Sequence, residues 1–187
     1  MKKISVLVIA LFITSACGSN QNEHSNHVEN VTVEQTAALV TTDEFKASLN
    51  AALDAYFELK DALVATDAVL ASEKAAVFTT ALEAVTSEGL SAEAAMLWDV
   101  AGKDALAANN AIASESDVEV QREHFEPLSN AFIDMVKAYG PFENTIYRQT
   151  CPMVRDGSAD WLSKEENVMN PYHGSRMLRC GSVVERI

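Results

Sequence analysis

Basic residues are scarce in this chain: 14 Lys and Arg stand against 27 Asp and Glu in 187 residues, a net charge of −13. So acidic a body repels phosphate backbones and anionic headgroups, which argues against nucleic acid and against electrostatic docking on lipid. A membrane-spanning run is missing too. The apolar stretch Ile4–Ile13 has about ten residues, where a spanning helix takes roughly 20. The common catalytic signatures are absent: there is no Gly-x-Ser-x-Gly, no P-loop and no His-Glu-x-x-His. Nor is there a Glu-x-x-His of the kind that builds a di-iron centre inside a helical bundle. Cysteine is limited to Cys17, Cys151 and Cys180, without the Cys-x-x-Cys spacing of a thiol oxidoreductase. Apart from Cys151 and Cys180, no nucleophile has a recognisable base partner, so the chain is expected not to be an enzyme.

What is present begins with an export pattern. Lys2 and Lys3 precede the apolar run, and the small residues Thr14, Ser15 and Ala16 follow it. Cys17 comes next, so residues 1–16 read as a lipoprotein signal peptide and Cys17 as the lipidated residue. Thr14 stands where leucine is usual in such a pattern. No acidic residue occupies the second position, Gly18, which favours the periplasmic face of the outer membrane over the inner. Loss of residues 1–16 removes Lys2 and Lys3 and leaves 12 basic against 27 acidic residues, a balance of −15. It also leaves Cys151 and Cys180 as the only thiols of the soluble body, in an oxidising compartment.

Residues 17–40 are polar and carry no sustained period, as expected of a flexible tether. His24 and His27 lie in it without helical support and read as tether. From residue 41 to 187 the pattern is that of a helical domain. Thr41-Thr42-Asp43-Glu44 has the form of a capping box, and Phe45, Leu49, Ala52, Leu53, Tyr56, Phe57, Lys60 and Leu63 follow helical spacing. Asp67 can cap a second helix from Ala68 to about Val85, with Leu70, Ala71, Val77, Phe78, Ala81 and Leu82 inward. Ser91 can cap a third to about Ala113. A fourth starts at Ser116–Glu119 and stops at Gly140-Pro141, with Pro127 expected to kink or divide it. Short connections between four alanine-rich helices predict an all-α fold, an up-down four-helix bundle. A loop-rich segment follows at about 146–183, with at most a short extended piece at Ile146–Gln149 and a short helix near Asp160–Met169. His124, among charged neighbours on the fourth helix, reads as a surface or capping residue.

The chemistry is concentrated in that last segment. Cys151-Pro152-Met153 and Met177-x-x-Cys180 place two thiols and two thioethers in two short stretches, with His173 between them. Together Cys151, Met153, Met177 and Cys180 could supply four sulfur ligands, or three with His173 in place of one thioether, and such soft donors select Cu(I). Zn²⁺ would favour the thiolates and His173 and gain little from methionine. The competing expectation is a Cys151–Cys180 disulfide, which closes a loop of about 30 residues and would contribute roughly 3–4 kcal/mol. In that case the protein is a stapled adaptor for an envelope partner, and Met153 and Met177 are packing residues. Spacing leaves both open.

Several segments together resemble one family. They are Tyr56-Phe57-Glu58-Leu59-Lys60-Asp61-Ala62-Leu63, Gln121-Arg122 with Phe125, Pro127-Leu128-Ser129, Cys151-Pro152-Met153, Trp161-Leu162-Ser163, Asn170-Pro171-Tyr172, and Met177-Leu178 with Cys180-Gly181. The chain is similar through them to an uncharacterised bacterial periplasmic domain, found alone or fused to membrane-fusion proteins of copper and silver efflux systems. The resemblance covers most of residues 43–185. It implies a helical domain tied to heavy-metal resistance, an efflux component as partner, and Cys151, Met153, Met177 and Cys180 at the motif positions. His173 departs from the family, which more often has an aromatic residue there.

Overall fold

A computed structural model describes residues 39–155 and 157–187. The segment read as a signal peptide, Cys17, His24, His27 and all of the segment read as a tether but Leu39 and Val40 lie outside the described residues. Four helices fill the first two thirds of the described chain: α1 (Asp43–Ala65), α2 (Ala68–Glu83), α3 (Ala92–Ser114) and α4 (Val118–Tyr139). Each starts at a side chain that satisfies an otherwise orphaned amide. Thr42 Oγ1 accepts from Phe45 N–H at 3.1 Å, Asp67 from Leu70 at 2.9 Å, Ser91 from Ala94 at 3.3 Å and Asp117 from Glu119 at 2.8 Å. The α1 cap is therefore Thr42, one residue beyond the capping box read from sequence. Thr66 ends α1 in the left-handed region at φ 63°, and Asp67 restarts the chain at once.

Consecutive helices pack on one another around a core of Phe45, Leu49, Leu63, Phe78, Phe125 and Phe132. The Tyr56 ring stacks between Phe125 and Phe132, with centroids 5.3 and 5.2 Å away. Each such contact adds about 0.5–1.5 kcal/mol to the burial itself. One inward expectation needs correction. Val77 is 52% exposed, because the buried face of α2 runs through Ala71, Ala75, Phe78 and Leu82. Of the two outcomes expected at Pro127, a kink or a division, division does not occur: α4 is one helix of 22 residues. Pro127 and Glu123 both lie on the exposed side of the helix, where a missing amide is tolerated better than in the core.

The last third is not purely loop, and the fold is mostly helical rather than all-α. Strands β1 (Tyr147–Val154), β2 (Gly157–Ser163) and β3 (Ser182–Arg186) form an antiparallel sheet in the order β2-β1-β3. Trp161 and Leu162, expected on a short helix, belong to β2, opposite Gln149 and Arg148. β1 needs ladder partners on both edges, and β2 supplies one of them. β2 packs on α4, and the Leu162 N–H donates to the buried Tyr56 hydroxyl at 3.2 Å. That hydroxyl also lies 2.7 Å from Ser129 Oγ on α4, so the sheet is hydrogen-bonded into the helical core. Lys60, part of the α1 stripe, is buried along its stem while Nζ reaches Asp61 at 2.8 Å.

Candidate functional site

The fold brings Cys151 and Cys180 together. Their sulfurs are 3.4 Å apart and unbonded. Cys151 sits on the central strand with its side chain fully buried, while Cys180 is half-buried in the segment that leads into β3. The contact pushes the Cys180 thiol above its ordinary range, first through the hydrogen bond with Cys151 and then through desolvation. A soft ion with metal–sulfur bonds of about 2.3 Å needs tetrahedral sulfurs roughly 3.8 Å apart. A disulfide needs about 2.05 Å. The observed spacing lies between the two values and is that of two thiols in direct contact.

Met153 is not folded in beside them. Cys151 pairs with Ala159 and Val154 with Gly157, so β1 carries one extra residue between those pairs, a β-bulge at Pro152–Met153. Proline has no amide to offer a ladder, which makes this a cheap place to interrupt one. The bulge resets the alternation: Cys151 and Val154 are buried, and Met153 is 59% exposed. His173 meets Met153 through the backbone, with its Nε2 3.0 Å from the Met153 carbonyl oxygen. Met177 is half-buried and one turn before Cys180, whose N–H donates to the Met177 carbonyl at 2.9 Å. Among the described residues no group of three or more His, Cys, Asp or Glu side chains is arranged to hold an ion. Any ion here would have to rely on sulfur. His124, half-buried on α4, stands apart from this cluster.

The residue that organises the site is Asn170, which sequence reasoning treated only as part of a motif. It is completely buried. Its Oδ1 accepts from the N–H groups of Tyr172 at 2.8 Å and His173 at 3.2 Å, while its Nδ2 donates to the Cys180 carbonyl at 2.8 Å. An asparagine before proline is a turn signal, and this double use of the amide is what the signal meant. Tyr172 then donates from its hydroxyl to the Asp160 carbonyl at 2.7 Å. Arg122, on α4, donates from Nε to the Pro171 carbonyl at 2.8 Å. Two glycines complete the frame. Gly174 has φ +52° and Gly181 has φ +138°. A Cβ on Gly181 would lie 2.4 Å from the Thr150 carbonyl, one residue from Cys151. Much of the C-terminal motif is therefore structural. It holds Cys180 against β1.

Residues 52–144 match a family described as "Protein of unknown function (DUF3347)". The matched stretch runs from within α1 past the end of α4 and stops before β1, so it includes none of Cys151, Met153, His173, Met177 and Cys180. No curated protein and no solved structure gives a significant match to the chain.

Proposed function

We propose that this chain is a lipid-anchored protein of the bacterial envelope, held at Cys17 on the periplasmic face of the outer membrane, that binds Cu(I) in copper homeostasis or efflux. The single observation that carries the reading is the unbonded 3.4 Å approach of Cys151 and Cys180. Two thiols from stretches 29 residues apart in sequence converge closely enough that a small opening would let both bind one soft ion. Met177, Met153 and His173 are the further candidate donors in the two segments. The softness of the two thioethers favours Cu(I) over Zn²⁺. The helical body, read as an up-down bundle, serves as the rigid support. The cargo would pass to an efflux component with exposed soft donors of its own.

Ion binding displaces the thiol protons and leaves copper in the same oxidation state throughout. The test is an anaerobic Cu(I) titration of reduced protein against a competing chelator. One ion per chain is expected, with a thiolate-to-copper absorption band that disappears in both Cys151→Ser and Cys180→Ser. A titration without that band would end the copper reading.

The same proximity supports a second reading, a Cys151–Cys180 disulfide in a protein that serves as an adaptor for an envelope partner. Thiol counting on unreduced protein, freshly isolated from its own envelope, separates the two. Two free thiols per folded chain favour the ion site, and none favours the staple.

A further inference from the structure

We infer that the exposed Met153, two residues from Cys151 and with its backbone held by His173, is an exchange arm for the thiol pair and not part of the ion's resting shell. The inference rests on the copper-binding reading above and sorts its donors into resident and mobile. Three observations carry it. The bulge at Pro152–Met153 separates two neighbouring sulfurs: Cys151 is fully buried, and Met153, two residues on, is 59% exposed. His173 uses Nε2 on the Met153 carbonyl at 3.0 Å, so that nitrogen is engaged with the backbone of the arm. The His173 N–H is held by Asn170 Oδ1 at 3.2 Å, and the same Asn170 side chain holds the Cys180 carbonyl at 2.8 Å. One continuous set of hydrogen bonds thus registers the exposed methionine against the carbonyl of the second cysteine.

The chemistry gives this layout a use. Two thiolates hold Cu(I) tightly, and a tightly held ion leaves slowly unless an incoming donor bonds to it before an outgoing one lets go. A neutral thioether is a weaker donor than a thiolate. Exposed and two residues from Cys151, it can take the ion from an arriving sulfur, then give way as the second thiolate closes. In the loading direction a copper–thioether bond to the donor breaks as the bond to Met153 forms. That bond in turn breaks as Cys151 and Cys180 bind, each losing its proton to water. No electron moves. The kind of partner that fits is a protein surface presenting thioethers, whose own bonds to copper are weak enough to exchange.

The experiment uses the full chain, reduced and under nitrogen. Cu(I) is delivered from a synthetic methionine-rich peptide, and loading is followed by the rise of the thiolate-to-copper band. Met153→Leu is expected to leave the equilibrium Kd within about threefold while slowing loading at least about tenfold. His173→Phe, which removes the donor to the Met153 carbonyl, should slow loading similarly. His173→Gln, whose side-chain amide can donate to the same carbonyl, should retain the rate. In protein labelled at the methionine methyls, the Met153 resonance should keep its metal-free position once loading is complete. A rise of Kd by about tenfold or more in Met153→Leu, the loss expected on removing a true ligand or its support, would make Met153 a resident ligand and overturn the inference. An unchanged loading rate would overturn it as well. Neither result touches the copper reading, which fails only if the native protein shows no thiolate-to-copper band.

Discussion

Arg122 donates from Nη2 to the Leu63 carbonyl at 2.8 Å while its Nε donates to the Pro171 carbonyl, also at 2.8 Å. One guanidinium from α4 thereby joins the end of α1 to the turn ahead of the thiol pair. It is 3% exposed, and its remaining nitrogen meets Glu119 at 2.5 Å. Desolvation lowers its pKa, and Glu119 works against that shift. Removing it would strand two buried carbonyls, each costing about 1–3 kcal/mol when unpaired. Arg122→Met is expected to lose about 3 kcal/mol or more of stability in urea unfolding. Arg122→Lys should recover little, because an ammonium cannot reproduce the fork that spans these acceptors.

Gly181 offers a more local test. At φ +138°, with the Thr150 carbonyl 2.4 Å and the Trp161 ring 3.2 Å from where a Cβ would stand, alanine strains the backbone next to Cys180. Gly181→Ala should cost about 1–3 kcal/mol. Cys180 would be driven away from Cys151, and a thiol reagent should then modify it faster than in the native protein. Equal modification rates would mean that the segment absorbs the strain without opening the pair.

The contrast between α1 and β2 explains how much of this could be read from sequence. Phe45, Leu49, Leu53, Tyr56 and Leu63 repeat at helical spacing beside a capping threonine and bury as expected. Local pattern and tertiary burial agree there. Trp161 and Leu162 carried no such agreement. Their strand depends on β1, whose own residues mix Arg148, Gln149 and Pro152 with apolar ones and hide the period-2 signal. The approach of Cys151 to Cys180 was foreseeable as a pairing of scarce thiols. The exposure of Met153 was not, because Pro152 marks where a ladder can be interrupted but not that a bulge there shifts the phase of every following side chain. Asn170 and Arg122 escaped because their roles lie in carbonyls contributed by other segments.

The pH response of the thiol pair has a defined sign. Cys151 holds the Cys180 thiol above its ordinary value of 9.0, through the hydrogen bond first and desolvation second. Between the ordinary and the raised value the folded chain keeps a proton that the unfolded chain has released. The stability this group contributes is thus present below pH 9 and lost as pH rises through the raised value. Alkylation of Cys180, followed by mass spectrometry across pH, should show its inflection above the ordinary thiol range. In Cys151→Ala the inflection should fall back towards that range. An inflection that does not move would mean that Cys151 does not set the thiolate population.

Acid should act at the other end of the same segment. Burial alone would raise the pKa of Glu185 on β3, but hydrogen bonds from Lys137 at 3.0 Å and Arg148 at 3.3 Å outweigh it and hold the carboxyl below its ordinary 4.5. Its contribution to stability is therefore complete above 4.5 and disappears as pH falls through the lower folded value. The side chain is 34% exposed, so solvent screening keeps the contribution small, about 0.2–1 kcal/mol. Glu185→Gln should lower the urea midpoint slightly near neutral pH and leave it less sensitive to acidification than the native protein. β3 follows Gly181 directly and pairs with β1 at Thr150, one residue from Cys151. If Glu185 anchors that strand, acid should also expose Cys180 to thiol reagents before the helices melt. Simultaneous loss of helical signal and thiol protection would show that β3 has no separate opening step.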